Sequence, residues 1–412
     1  MRSLTSTLTA ARAHRAFYAL GFPAFRRIWL AAVLDGFGNW MERLAVGWFV
    51  LNVTGSVFLA ALSFAVRSAP NIVLGPFGGA VADRFERPRV LMVTAAARAL
   101  LLSAIAGTAL AGLTAVWPIL VLVMLSGVAR SSEIPATQAM ITDIVGRSRA
   151  ASAIGLHAFG VRSVGVLGAL AGGVLIEWIS VGLVFLCAGA AVAAAALVYA
   201  GVSVPRVRTV GAGARSLWGD ALEGIRLVLR IPVVLTLLLL AVGVEVFAFS
   251  FNSLLPAVAE RVLNVDAAGL GALTLGAGVG GMLGTAALSL LRDEARRGPL
   301  LLGVTLCFGV LLIALAASER FALSLAILVG VGAMAAMFDA LQWVLLQASV
   351  PDEMRGRVVG AWMSAIGFGW MGPIVIGATA EVAGTQWALA ASGAVALTLG
   401  VGALGSRGLR GL

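Results

Sequence analysis

The sequence predicts an all-α membrane protein with twelve transmembrane helices in two pseudo-symmetric six-helix bundles. Three observations predict it. Hydrophobic residues make up 60% of the chain and charged residues only 12%, with a mean hydropathy of +1.02, whereas a soluble domain carries about 25% charged residues. The apolar residues gather into runs of about 20 or more, the length a helix needs to cross a hydrocarbon core about 30 Å thick. One sizeable polar break near the middle leaves six runs on either side.

The elements follow in order. Residues 1–27 are arginine-bearing and only weakly apolar, with no pattern for signal cleavage, so they read as a cytoplasmic N-terminal segment before a retained first helix. Six runs, at about 28–51, 57–81, 89–113, 116–142, 150–176 and 180–203, form the N-terminal bundle, 28–203. The break at 204–231 holds Pro205, Gly211, Gly213 and five arginines. From Ser216 to Arg226 its apolar residues recur at helical spacing with charge on the other face, which reads as an amphipathic helix at the interface. Six further runs, at about 232–257, 267–291, 299–317, 321–347, 357–382 and 386–405, form the C-terminal bundle, 232–405, followed by a cytoplasmic tail, 406–412. The runs at 116–142 and 321–347 are long enough to tilt or to project beyond the bilayer.

Arginine placement orients the chain. All 29 basic residues are arginines. Twenty-two lie in the termini, the central break and every second connection, and only Arg261 and Arg320 lie in the opposite connections. The positive-inside rule then puts both termini in the cytoplasm, as an even number of crossings also requires. The expected location is the cytoplasmic (inner) membrane. A net charge of +10 would point to nucleic acid in a soluble protein. Here the arginines separate apolar runs, so they read as a topology signal and no nucleic-acid partner is expected.

Several chemistries lack their residues. A chain without lysine has no Gly-xxxx-Gly-Lys-[Ser/Thr] loop for an NTP-driven pump, and no His-Glu-x-x-His, Gly-x-Ser-x-Gly or histidine-rich cluster marks a membrane enzyme. Cys187 and Cys307 lie inside apolar runs and read as packing residues. No metal or cofactor is expected. A channel is disfavoured, because two related halves around embedded charges suit alternating access. The halves look related at two places. Asp143–Arg149 before run 5 matches Val350–Arg357 before run 11, and Gly165, Gly168, Gly172 and Gly173 match Gly367, Gly369, Gly372 and Gly377. Duplicated six-helix units hold substrate between them near the bilayer midplane in many secondary transporters.

Three segments carry a family resemblance. The connection after run 2 reads Gly79-Ala-Val-Ala-Asp-Arg-Phe-Glu-Arg-Pro-Arg89, the one before run 11 reads Val350-Pro-Asp-Glu-Met-Arg-Gly-Arg357, and run 1 carries Asp35-Gly-Phe-Gly-Asn-Trp-Met-Glu-Arg-Leu-Ala45, continuing to Leu51-Asn-Val-Thr-Gly-Ser56. Together they resemble the major facilitator superfamily of transporters, in the branch of enterobactin exporters and macrolide efflux pumps, over about residues 20–405. The resemblance implies a secondary transporter exporting a drug or siderophore in exchange for protons. Glu86 and Pro88 depart from the family loop, and its second-half counterpart, Leu291–Arg297, has lost the pattern. Gly155, Gly168, Gly172 and Gly173 resemble an antiporter glycine motif in which Val164 and Ala169 replace a glycine and a proline. Uptake, or export of a lipid or metal, would use the same fold.

Embedded polar residues supply the candidate site. A charge at the bilayer centre costs about 3 kcal/mol on insertion scales, so it faces a partner or a water-filled cavity. Asp35, Asn39 and Glu42 share one face of run 1. Candidate proton carriers are Asp35, Glu42, Glu133, Glu245 and Asp339. Candidate charge partners are Arg43, Arg67, Arg98, Arg130 and Arg162. Structural pairing competes with coupling at each acid: Asp35 with an embedded arginine, Glu42 with Arg43, Glu133 with Arg130 one turn away, and Asp339 with Arg355 or Arg357. Glu245 has no basic residue in its own run, which suits proton uptake and release. His157 reads as packed or interfacial.

Gly79, Asp83, Arg84, Arg87, Asp352, Arg355 and Arg357 form a candidate conformational gate. Asp83 is suited to the N-terminus of run 11, where the helix dipole favours negative charge, while Arg84 and Arg87 are suited to pairing across the halves. The alternative is that these arginines only signal topology. Asn39, Trp40, Phe249, Asn252, Gln342, Trp343 and Trp362 are candidates for a greasy cavity suited to a small amphipathic substrate, against packing or lipid contact. The expected partners are that substrate, protons and the bilayer, with the protein a monomer.

Overall fold

The computed structural model describes residues 18–71, 74, 84–112, 115–202, 231–290, 296–351 and 354–412. The N half comprises α1 (Pro23–Thr54), α2 (Val57–Ser68), α3 (Arg87–Leu110), α4 (Val116–Val145), α5 (Arg147–Trp178) and α6 (Val181–Ala200). The C half comprises α7 (Pro232–Val262), α8 (Ala267–Leu290), α9 (Arg297–Ala316), α10 (Phe321–Ala348), α11 (Arg355–Ala383, interrupted at Phe368–Trp370) and α12 (Thr385–Leu404). A one-turn helix, α13 (Arg407–Arg410), follows. Among the described residues, ten helices, α3 to α12, are long and apolar enough to cross a membrane. The 32-residue α1 also has the length but carries Asp35, Glu42 and Arg43, and α2 is described over 12 residues. The chain is a multi-pass helical membrane protein.

Local chemistry explains several helix ends. Pro23 starts α1 at a first-turn position where its missing N–H costs nothing, so the helix begins before residue 28. Gly55 ends it at φ 64°, with its N–H on the Leu51 carbonyl at 2.7 Å, and the Ser56 side chain then caps α2 by accepting from the Leu59 N–H at 3.1 Å. Three expected continuous helices are interrupted. α4 breaks at Ser131 and Ser132, α11 tightens to a 3-10 turn at Phe368–Trp370, and α7 widens to π turns at Val244–Ala248 and Val258–Val262. Pro256 lies inside α7, which runs on past residue 257 to Val262. Proline removes one backbone donor, and widened turns are one way a helix absorbs such irregularity.

The pairing of helices repeats when six is added to each number. α3 packs on α6 as α9 packs on α12, and α5 packs on α8 across the halves as α11 packs on α2. That repetition is the pseudo-symmetry of the two bundles. In lipid, close packing rather than the hydrophobic effect holds helices together, so small residues sit where backbones meet. On α8, Gly276, Gly280 and Gly284 recur every four residues and face Leu325, Val329 and Ala333 of α10, which recur at the same spacing. A side chain at Gly280 would fall on the Val329 carbonyl. Gly280→Val is therefore expected to separate α8 from α10 and cost about 1–3 kcal/mol, the usual penalty of overpacking. Thermal unfolding of purified protein checks this, and an unshifted midpoint would refute it.

The halves meet at the arginine-poor end. Arg261 of α7 donates to the Gly55 carbonyl, and the Phe58 N–H at the start of α2 donates to Glu381 of α11 at 3.0 Å. Gly47 of α1 lies against Pro256, and Gly173 of α5 lies against Ala267 and Gly271 of α8. Nearer the middle, Ser163 of α5 reaches the Met282 sulfur at 3.7 Å. At the opposite end, among the described residues, the second part of α4 (Glu133–Val145) packs on helices of the N half and the first part of α11 (Arg355–Gly367) on helices of the C half. Among the described residues, the two bundles are thus joined at the arginine-poor end, while at the other end each of these two segments packs on its own half.

Candidate functional site

A buried ionic network fills the middle of the N half. Asp35, Asn39 and Glu42 stand on one face of α1, as their spacing predicts, and that face meets α2, α3 and α4. Arg98 of α3, 1% exposed, binds Asp35 at 2.5 Å and approaches Glu133 at 3.5 Å and Glu42 at 3.8 Å. Arg67 of α2 binds Glu42 at 2.6 Å. Arg67 and Arg130 both donate to the Asn39 side-chain carbonyl, and Arg130 lies 3.5 Å from Glu133. Three acids thus face three arginines, so the set carries no net formal charge and its transfer into lipid is far less costly than that of any member alone. Ser126, which the sequence did not single out, donates to Glu42 at 3.2 Å. Gly127 beside it lets α4 close onto the Arg67 backbone, which brings that hydroxyl into reach.

Arg43 corrects one expectation. It does not pair with Glu42, because consecutive residues on a helix point about 100° apart. Its guanidinium lies 5.6 Å from the Trp40 ring centroid and 5.3 Å from that of Phe64, a cation–π position. Arg43 makes no ion pair among the described residues, and it faces the seam between the halves, within electrostatic range of Glu245.

Across the seam, the C half holds two half-buried carboxylates. Glu245 sits in the first π turn of α7 and packs on the backbone of Gly369, where α11 is interrupted. Asp339 lies on α10. Neither forms an ion pair or hydrogen bond among the described residues. Their charged neighbours are each other, with Arg43 beside Glu245 and the exposed Arg162 of α5 beside Asp339. The seam is therefore polarised, with cationic groups on the N side and anionic groups on the C side.

The aromatic candidates divide. Trp343 and Trp362 form an edge-on pair with centroids 5.1 Å apart where α10 meets the first part of α11, and Trp343 remains 37% exposed. Trp40 lies against Gly165 of α5 near Arg43. Phe249 instead packs with the buried Phe308 and Phe338 inside the C half. Gln342 is fully buried and donates to the Leu237 carbonyl at 3.1 Å, tying α10 to α7. It is a structural tie and faces no open space. Asn252 is half-buried and donates to the Phe249 carbonyl one turn back, at 3.1 Å.

The gate residues are only partly described. Gly79, Asp83 and Asp352 lie outside the described residues, as do the side chains of Arg355 and Arg357. Arg84 is exposed. Arg87 pairs with Asp143 at the end of α4, within its own half. The contacts at the arginine-poor end, through Arg261 and Glu381, were not among the candidates. They depend on backbone partners, which no side-chain pattern announces.

Comparison with known proteins agrees with this architecture. The multidrug efflux pump Tap of Mycolicibacterium fortuitum is 27% identical over 394 residues, covering 91% of this chain and 93% of that protein. The enterobactin exporter EntS of Shigella boydii is 26% identical over 340 residues, covering 82% of this chain and 81% of that protein. The crystal structure of the nucleoside transporter NupG superposes with a TM-score of 0.73 at 13% identity, covering 93% of this chain and 98% of that one, a likeness of fold. Residues 28–371 match the description of the Major Facilitator Superfamily. With a helix pairing that repeats between the halves, an ionic network buried in one and a polarised seam between them, the chain is a transporter and not an enzyme, and it belongs to the Major Facilitator Superfamily.

Proposed function

We propose that the protein exports a small amphipathic molecule, of drug or siderophore type, across the cytoplasmic membrane by alternating access coupled to proton entry. The observation that supports this reading is the seam, where the halves join at the arginine-poor end among the described residues and Arg43 of the N half lies within electrostatic range of Glu245 of the C half. With the arginine-rich end in the cytoplasm, substrate enters from inside, and release outward requires the Arg261–Gly55 and Glu381–Phe58 contacts to break. The export direction is supported by the efflux pump and the siderophore exporter that the chain resembles over most of its length. The test uses inverted vesicles with an acidic lumen and a lipophilic dye or siderophore. Accumulation that collapses with the gradient is the expected result. Accumulation that survives collapse would exclude proton exchange, and movement in the opposite direction would exclude export.

The gate completes the cycle. When the arginine-poor end opens, Asp83 sits at the N-terminus of α11 and Arg84 and Arg87 pair across the halves, holding the cytoplasmic end shut. Arg87 must then leave Asp143. An acid at a helix N-terminus contributes about 0.3–2 kcal/mol, so Asp83→Asn is expected to slow turnover several-fold while leaving ligand affinity unchanged. Turnover equal to wild type would remove Asp83 from the gate.

A further inference from the structure

A second feature lies away from the seam, on the outer wall of the C half. Arg296, Arg407 and Arg410 line a cavity of about 600 Å³, within the range of small-molecule sites. Its apolar side is formed by Leu302, Leu306 and Leu404. The arginines are placed by the fold, since α13 is anchored by the fully buried Leu409 and the Arg297 N–H donates to the Leu412 carbonyl at 3.2 Å. All three arginines are exposed, and none forms an ion pair among the described residues. α9 and α12 pack on each other and on helices of their own half, so this groove faces away from the N half and toward lipid.

The depth of the groove matches a lipid. At 1.5 Å per residue, Leu302 and Leu306 lie about 9 and 15 Å along the helix from Arg296, which takes the apolar wall from the interface into the hydrocarbon. Gly303, between them, is exposed, and apart from its chain neighbours and its own helix backbone nothing lies within 4 Å of where its side chain would be. We propose that this cavity binds an anionic phospholipid, with its phosphate on Arg296, Arg407 and Arg410 and an acyl chain running past Gly303. A soluble anion would use the arginines and have no use for the leucine wall. Basic notches between membrane helices recognise such head groups, and each arginine near the surface contributes a roughly fivefold gain in affinity.

The test is a binding titration and thermal shift on the full-length protein in neutral detergent. The probes are dioleoyl phosphatidylglycerol, dioleoyl phosphatidylcholine and inorganic phosphate. Phosphatidylglycerol is expected to raise the unfolding midpoint saturably, and the other two are not. Replacing all three arginines by glutamine is expected to weaken binding roughly a hundredfold. Gly303→Leu keeps every charge and fills open space, so it folds and is expected to weaken phosphatidylglycerol binding alone. An equal shift with phosphatidylcholine or inorganic phosphate, or undiminished binding by Gly303→Leu, overturns the proposal. Should the triple variant fail to fold, Gly303→Leu decides.

Discussion

Arg98→Met is expected to destabilise the protein by about 3–5 kcal/mol, the cost of removing one partner from a buried ionic set. The methionine fills much of the space, so the loss is electrostatic. Asp35 loses its 2.5 Å partner, and Glu133 and Glu42 lose theirs at 3.5 and 3.8 Å. Three acids would then face only Arg67 and Arg130. Neutralising Asp35 in the same chain removes the most exposed consequence, so Arg98→Met with Asp35→Asn is expected to recover part of the loss. Thermal unfolding of the purified variants in detergent measures both. A single variant as stable as wild type, or a double variant less stable than the single one, would show that these groups are not coupled.

Glu245→Gln is expected to leave the protein folded and to abolish the gradient-driven part of transport. Glu245 forms no ion pair or hydrogen bond among the described residues, so the near-isosteric amide breaks nothing. The groups that face it are Arg43 from α1 and Asp339 from α10. In the proposed cycle, movement of the halves would change the distances from Glu245 to that guanidinium and that carboxylate, and with them its preference for the proton. The check is transport in vesicles over a series of pH gradients, with Asp339→Asn alongside. The wild type is expected to follow the gradient and Glu245→Gln is not. Unchanged dependence in Glu245→Gln with loss in Asp339→Asn would move the proton site to α10, and unchanged dependence in both would remove it from the C half.

These two residues show how far a site can be read in a linear chain. Asp35, Asn39 and Glu42 were legible as one face, because helical geometry fixes which residues share a side. That Arg67, Arg98 and Arg130 converge on that face was not, since they come from three other helices. Glu42 and Arg43 look like a pair when written side by side and point to different partners when coiled. Gln342 and Phe249 look like cavity residues by type, yet one ties α10 to α7 and the other packs against Phe308 and Phe338. Polar and aromatic character marks a residue that needs a partner, and neighbouring helices decide whether that partner is substrate or protein.

The same division holds for the whole molecule. Hydrophobic run length and the central break were enough to predict a helical membrane protein in two halves, because the bilayer constrains each segment independently of its neighbours, while the transporter reading came from the family resemblance of three segments. Some interruptions have local residues to mark them, such as Ser131 and Ser132 in α4 and Pro256 in α7. The closure of the seam at one end does not. It rests on Arg261 reaching the Gly55 carbonyl and on Glu381 reaching the Phe58 N–H, residues about 200 and 320 positions apart in the chain. Such contacts depend on how two finished bundles meet, and backbone donors and acceptors are the same at every position, so no local pattern can encode them.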